Sequence, residues 1–409
     1  MARPTKPPSD REAGVAVQRL PAALPAMTAV QASVALGTFA LSVLAPQLGV
    51  GVQALGWLGS TLFGVGALTA LASGGLIRRW GDARLAALCM LLVALAMACL
   101  ACDALGLGPA QWSLWPAVLL LGLAFGPETP ASASVLARVT SPARRPWVFS
   151  IRQTGNQIGA MAGSLLLPWL FVRHRAAPFV AVAAVALAVG AACLRVARNL
   201  AGAAAAPVAP HGAAARRSGL GDIAASPHLR MLTLAAAVFT AAQVCLNFFA
   251  VSHAVHHWHL PVPVAVAWVA WMQAAGLAGR LLWGRVALRP GVALQRLLGA
   301  LGCAMGAAGL LLFLWPGVPG PGVLAVLLAL LGLSASGWNG VLLAEVAGTA
   351  GPARAGAVTG AVLLFGYAAL ALAPLGFAAV GVLVGTGAAY AVLLGLAGLL
   401  GAGLLARQP

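Results

Sequence analysis

Twelve long apolar stretches run through this 409-residue chain with hardly a charge inside them, and that pattern makes a lipid bilayer the solvent in which it folds. Crossing roughly 30 Å of hydrocarbon takes about 20 apolar residues at about 1.5 Å of helical rise each. A chain that is 61% hydrophobic and 8% charged supplies that length many times over. The stretches fall at 27–48, 52–77, 84–103, 113–137, 147–171, 177–197, 229–252, 262–284, 293–315, 321–345, 353–380 and 384–405. Only helices and closed barrels satisfy every backbone group in lipid, and continuous apolarity excludes barrel strands, which must alternate. The expected fold is therefore an all-α integral membrane protein of twelve transmembrane helices.

Charge placement sets the expected orientation, because cationic loops are retained on the cytoplasmic side. Arg3, Lys6, Arg11 and Arg19 precede the first span; Arg78, Arg79 and Arg84 follow the second; Arg138, Arg144 and Arg145 follow the fourth. Arg195, Arg198, Arg216, Arg217 and Arg230 lie around the middle gap, Arg280, Arg285, Arg289 and Arg296 around the eighth-to-ninth gap, and Arg354 and Arg407 complete the set. The opposite side keeps Arg173 and Arg175, and Arg152 lies within a span. Of 24 cationic residues, 21 thus share one side. The formal charge of +17 reflects topology and implies no nucleic-acid partner. Both termini are expected in the cytoplasm of a cell bounded by a bacterial inner membrane.

Residues 1–26, with Asp10, Glu12 and several prolines, read as a mobile cytoplasmic tail and not as a cleavable signal peptide. Cys89, Cys99, Cys102, Cys193, Cys245 and Cys303 all fall in apolar spans, where they are expected to pack as small apolar side chains. From 199 to 228 the chain turns to Ala, Pro, Gly, Arg and Ser, a composition expected to form a cytoplasmic loop between a six-helix bundle at 27–198 and another at 229–406.

Across that divide the sequence partly repeats. Gly74-Gly75-Leu76-Ile77-Arg78-Arg79-Trp80-Gly81-Asp82-Ala83-Arg84 and Gly279-Arg280-Leu281-Leu282-Trp283-Gly284-Arg285-Val286-Ala287-Leu288-Arg289 each follow the second span of their half. Here the chain resembles the major facilitator superfamily, whose signature in this loop is Gly-x-Leu-Ala-Asp-Arg-x-Gly-Arg-Arg; Gly74, Leu76, Arg79, Gly81 and Arg84 fit it. The signature's acid is replaced by Arg78 in the first copy and by Leu288 in the second, with Asp82 placed to substitute from a shifted position. The resemblance implies two pseudo-symmetric six-helix bundles and a cytoplasmic gate formed by Gly74, Arg78, Arg79, Gly81, Asp82 and Arg84 with Gly284, Arg285, Arg289 and Glu345. Gly126-Pro127-Glu128-Thr129-Pro130, Phe149 to Gly155, and Gly337-Trp338-Asn339-Gly340-Val341 with Ala344-Glu345 look like a proteobacterial branch of that family. Its members are mostly secondary transporters of small solutes, so transport is the implied activity.

The chemistry has to come from polar groups at membrane depth, where a charge costs at least about 2.5–3.5 kcal/mol. Glu128 sits ten residues before Arg138, hence about 15 Å into span four, near the midplane. Pro127 and Pro130 flank it and are expected to interrupt the helix around a substrate or proton site. In span five, Arg152 and Asn156 are four apart on one face, with Gln153 and Gln157 on the next, beside a stripe of Gly155, Gly159 and Gly163. We expect Glu128 and Arg152 to pair when no solute is bound, and an anionic solute or a proton on Glu128 to break the pair. Gln31, Gln243, Asn247, Gln273, Trp338 and Asn339 are weaker candidates along the solute pathway, and Glu345 is expected to pair with a gate arginine. His253, His256, His257 and His259 are expected in a solvated outer loop, without a metal.

Seven acids, with no span holding two, speak against a membrane enzyme using paired carboxylates, and the chain has no Walker loop. No cofactor is expected. The sequence reads as a monomeric secondary carrier that works by alternating access, with a small organic anion as cargo and a proton gradient as its drive. Efflux of a neutral or cationic apolar compound, or a receptor or scaffold of the same fold that no longer transports, are the alternatives.

Overall fold

The computed structural model describes residues 10–109, 111–141, 144–200, 213–351 and 354–406, with side chains for all of these except 10–19, 146 and 213–218. Residues 1–9 of the expected tail, 201–212 of the central segment and Arg407 lie outside this set. Among the described residues there are thirteen helices and no strands: α1 Asp10–Leu48, α2 Val52–Trp80, α3 Asp82–Ala104, α4 Leu114–Val139, α5 Arg145–Arg173, α6 Ala177–Asn199, α7 Ala213–Ala225, α8 Pro227–His256, α9 Val262–Val286, α10 Leu294–Phe313, α11 Pro321–Ala350, α12 Ala355–Val384 and α13 Thr386–Ala406. Apolar continuity makes them helical, and their ends carry the usual punctuation. Proline occupies the first turn of α6, α8, α9 and α11, where its missing N–H costs nothing. Gly81 (φ 84°) and Gly385 (φ 89°) stop α2 and α12 in a backbone region that other residues avoid.

Eleven of the helices are long and apolar enough to cross a membrane. The twelfth long helix, α5, has 29 residues but is diluted by Arg152, Gln153, Asn156 and Gln157. It lies along α1, where its glycines sit directly on the α1 backbone: a Cβ on Gly155 would meet Thr28 O and Ala32 N, and one on Gly159 would meet Ala32 O. Two elements depart from the sequence expectations. Helix α1 starts at Asp10, ahead of the span expected from 27. The segment expected as a loop contains α7, which packs on α12 through Gly219 against Ala357 and through an Asp222–Arg354 ion pair.

The two halves pack by the same pattern. In the first half, α1 contacts α4, α5 and α6, α2 packs on α4, and α3 on α4 and α6; in the second, α8 contacts α11, α12 and α13, α9 packs on α11, and α10 on α11 and α13. One close approach repeats as well. A Cβ on Gly126 (α4) would collide with the carbonyl of Gly66 (α2), and a Cβ on Gly332 (α11) with that of Met272 (α9). Between the halves, α2 meets α12, α5 meets α9, and α1 meets α8.

The α2–α12 seam is tight at the end away from the arginines. Gly56 abuts Ala378 and Pro374, Leu375 N donates to Ser60 Oγ at 3.0 Å, and Phe248 of α8 packs edge-on against Phe39 and Phe63 at 6.5 and 5.8 Å between centroids. Toward the arginine-rich end, Cβ atoms on Gly74 and Gly75 would meet nothing but the Arg78 side chain of the same helix, and on Gly356 and Gly360 nothing at all. Helix α4 shares no packing face with α11 or α12 among the described residues. Because interhelical glycines in lipid act by close van der Waals contact, Gly126→Val will cost about 1–3 kcal/mol by overpacking, seen as a lower melting temperature in detergent. Gly284→Val, whose added carbons point into open space, will melt like the parent.

Candidate functional site

Helix α4 remains continuous through Pro127 and Pro130, so the interruption expected there is absent. What the prolines bracket is a buried carboxylate. Glu128 is 3% exposed and Arg152, from α5, is 2% exposed; Arg152 Nη1 stands 3.1 Å from Glu128 Oε1. Thr129 Oγ1 donates to Glu128 Oε2 at 2.7 Å, Ser132 Oγ lies 3.2 Å from Oε1, and Arg152 Nη1 donates to Ser132 Oγ at 2.6 Å, while Arg152 Nε is buried without a partner. A buried ion pair depends on further hydrogen bonds to its remaining lone pairs and protons. Thr129 and Ser132, one and four residues past Glu128 on α4, supply those of the carboxylate.

Two further groups address the same region from the other half. Arg280 of α9 donates from Nη1 to Gln153 Oε1 of α5 at 2.8 Å and lies within Coulombic range of Arg152. Tyr367 of α12 lies within Coulombic range of both Glu128 and Arg152. Sequence reading missed both. Arg280 lies six residues from the end of α9, where sequence alone groups it with the loop charges, and Tyr367 stands in an apolar run where only a known neighbour gives a phenol meaning.

The remaining candidates divide. Gln273 Nε2 donates to Asn247 Oδ1 at 2.7 Å, which joins α9 to α8 within the second half. Gln157 is buried, with both amide atoms unpartnered, and Gln31 Oε1 is a buried unpartnered acceptor at the α1–α5 seam. Asn156, Gln243 and Asn339 are half-buried. Trp338 is 2% exposed, packs on Phe239 at 5.7 Å and donates to Ala335 O at 3.0 Å, so it belongs to the packing of α11 on α8.

At the arginine-rich end Asp82 is buried and accepts from Arg138 Nη1 at 3.1 Å, Ser134 Oγ at 3.0 Å and Ala83 N at 2.8 Å. This clamp joins α3 to α4 inside the first half. Arg78, Arg79, Arg84 and Arg289 are exposed, while Arg285 lies over the ring of Trp147 at 5.9 Å, bridging α9 to α5. Glu345 pairs with His228 Nε2 at 3.1 Å and not with the arginine expected, because the start of α8 is its neighbour. The histidine expectation also needs correction. His256, His257 and His259 are exposed, but His253 is 2% exposed, hydrogen-bonded to Thr386 Oγ1 at 2.7 Å and ringed by Trp258, Phe313 and Tyr390. No group of three metal-ligating side chains occurs among the described residues, and all six cysteines are free.

Comparison with known proteins bears directly on this architecture. The family model of the Major Facilitator Superfamily matches residues 24–374. The chain belongs to that superfamily. This facilitator aligns over 95% of its length with a bacterial homologue of the human lysosomal transporter Spinster in an inward-facing, unoccupied conformation (95% of that chain, 16% identity, TM-score 0.66). It aligns over 95% with the nucleoside transporter NupG (99% of that chain, 14% identity, TM-score 0.72) and over 94% with a peptide transporter, POT (93% of that chain, 16% identity, TM-score 0.70). No curated protein matches it by sequence. The facilitator is a multi-pass membrane carrier of small molecules and not an enzyme.

Within the facilitator's site, Arg152→Gln strands Glu128 in a dry environment and will cost about 3–5 kcal/mol of stability. Glu128→Gln together with Arg152→Gln will cost markedly less than the two single changes summed, as measured by unfolding in detergent across the double-mutant cycle. Simple additivity would mean that the two side chains do not interact.

Proposed function

We propose that this facilitator is a proton-coupled carrier of a small organic anion, that its arginine-rich end is cytoplasmic, and that the present conformation faces inward. The orientation rests on the concentration of cationic side chains at one end. The conformation rests on the aromatic plug and tight α2–α12 seam at the far end, against the loose seam at the arginine-rich end. Both gates of an alternating-access cycle cannot be open at once, so a closed far side goes with access from the arginine side.

The observation that carries the reading is the buried Glu128–Arg152 pair. A carboxylate held against a guanidinium away from water gives the first half a two-state element. Protonating Glu128 removes the negative charge and frees Arg152; an anion approaching Arg152 competes with Glu128 for the same cation. Either event changes the charge balance beside Tyr367 and Arg280, which belong to the other half. Proton and anion therefore favour each other's binding, a coupling of affinities that transport requires. Asp82, clamped to Arg138 within the first half, keeps the α3–α4 end rigid while the halves rock.

The test is uptake in proteoliposomes against a panel of radiolabelled organic acids. The parent will accumulate a solute under an inward proton gradient. Glu128→Gln will lose gradient-driven accumulation yet retain solute counterflow, and Arg152→Ala will lose both by tenfold or more. Undiminished gradient-driven uptake in both variants would refute the coupling role.

A further inference from the structure

Arg280 is the charge that the fold leaves unbalanced. Five acids have described side chains, and each has its partners: Asp82 meets Arg138, Glu128 meets Arg152, Asp222 meets Arg354, Glu345 meets His228, and Asp103 is held by Gln111 N and Ser113 Oγ. Four described arginines are withdrawn from full exposure: Arg138, Arg145, Arg152 and Arg280. Arg138 and Arg152 have their carboxylates. Arg145 donates to Ala137 O and Thr140 O at the end of α4, where helix carbonyls carry partial negative charge. Arg280 meets a neutral amide oxygen, Gln153 Oε1, and no described carboxylate lies within ion-pair distance. Its Nε–H is buried without a partner, as is that of Arg152, but Arg152 has a carboxylate and Arg280 has none.

A second group, one turn along α5 from the Gln153 that Arg280 meets, is also unsatisfied. Gln157 is 1% exposed and both its amide atoms lack partners. One helical turn separates it from Gln153, so both sit on the face of α5 that meets α9. A buried donor without an acceptor costs free energy comparable to a lost hydrogen bond, and an uncompensated guanidinium costs more. Around this point the charges are Arg152 and Arg280 against Glu128 alone, an excess of one positive charge.

We propose that Arg280 anchors the charge of the transported solute and that the solute is a monovalent organic acid, its carboxylate accepting from the Arg280 guanidinium with Gln157 as a further donor. This deepens the reading above, on which it rests, by adding Arg280 to Arg152 as a partner of the anion. Arg152 couples the anion to Glu128, while Arg280 holds it from α9, so that a ligand bound between α5 and α9 touches both halves. One negative charge neutralises the excess; two would leave a surplus anion.

The test is thermal unfolding of the full-length protein in detergent with benzoate, its neutral isostere benzamide and the dianion phthalate. Benzoate will raise the melting temperature, benzamide will not, and phthalate will do so less. Arg280→Gln will abolish the benzoate shift, Arg280→Lys will retain part of it, and Gln157→Leu will weaken benzoate binding by tenfold or more. Gln153→Glu, which places a carboxylate against Arg280 within the protein, will raise the ligand-free melting temperature and remove the benzoate response. A benzoate shift that survives Arg280→Gln, an equal shift with benzamide, or no benzoate shift in the parent would overturn the proposal. Benzoate counterflow separates it from the carrier reading. Binding that depends on Arg280 without counterflow upholds the anchor and defeats the carrier; counterflow with unchanged KM in Arg280→Gln defeats the anchor and upholds the carrier.

Discussion

An ion pair in hydrocarbon is a constraint before it is a device. Neither Glu128 nor Arg152 can face acyl chains without a penalty of several kcal/mol, so α4 and α5 have to present them to each other. Thr129 and Ser132 then fix the register by hydrogen-bonding the carboxylate, and Ser132 also accepts from Arg152 Nη1. The polar wedge on α5, which makes that helix too hydrophilic to qualify as a span by composition, is affordable because α1, α4 and α9 cover it. The placement of the first half around α5 follows from that requirement.

Rigidity and mobility are assigned to different kinds of contact. Inside each half, glycines let backbones touch, as Gly126 does on Gly66 and Gly332 on Met272, and such seams tolerate no sliding. Between the halves, Gly56 of α2 abuts Ala378 and Pro374 of α12 and Phe248 packs on Phe39 and Phe63 at one end, while at the other the contacts are long polar side chains, Arg280 with Gln153 and Arg285 over Trp147. The polar contacts can be exchanged at modest cost. The glycines of the signature loop, Gly74, Gly81 and Gly284, pack against no other helix in this conformation, which fits an open arginine-rich end.

Depth was readable from the chain and direction was not. Bilayer thickness dictates span length, so the helices and the six-plus-six division follow from hydropathy. The helical rise puts Glu128 near the midplane, and the polar face shared by Arg152, Gln153, Asn156 and Gln157 marks α5 as the helix that turns toward it. What a helix faces depends on which helix is its neighbour, and that is set by packing across long sequence separations. Hence spacing alone does not show that Gln273 and Asn247 bond to each other, that His228 and not an arginine stands beside Glu345, or that Tyr390 and Thr386 enclose His253. Arg280 was misplaced for a related reason: counting charges by loop assumes that a residue near a helix end is outside, while the packing of α9 on α5 turns it inward. Helix α7 has a composition typical of linkers, and its docking on α12 includes Gly219 against Ala357 and the Asp222–Arg354 ion pair, contacts that composition does not show.

If Glu128 is the proton-sensitive member of the pair, its protonation opens the contact with Arg152. Infrared difference spectroscopy on the purified protein, recorded as pH is lowered, reads that event without a known solute. A carboxylic acid C=O band is expected to appear together with a perturbed arginine band, both missing in Glu128→Gln. A carboxylic acid band that persists in Glu128→Gln, or one that appears with the arginine band unmoved, would contradict that role.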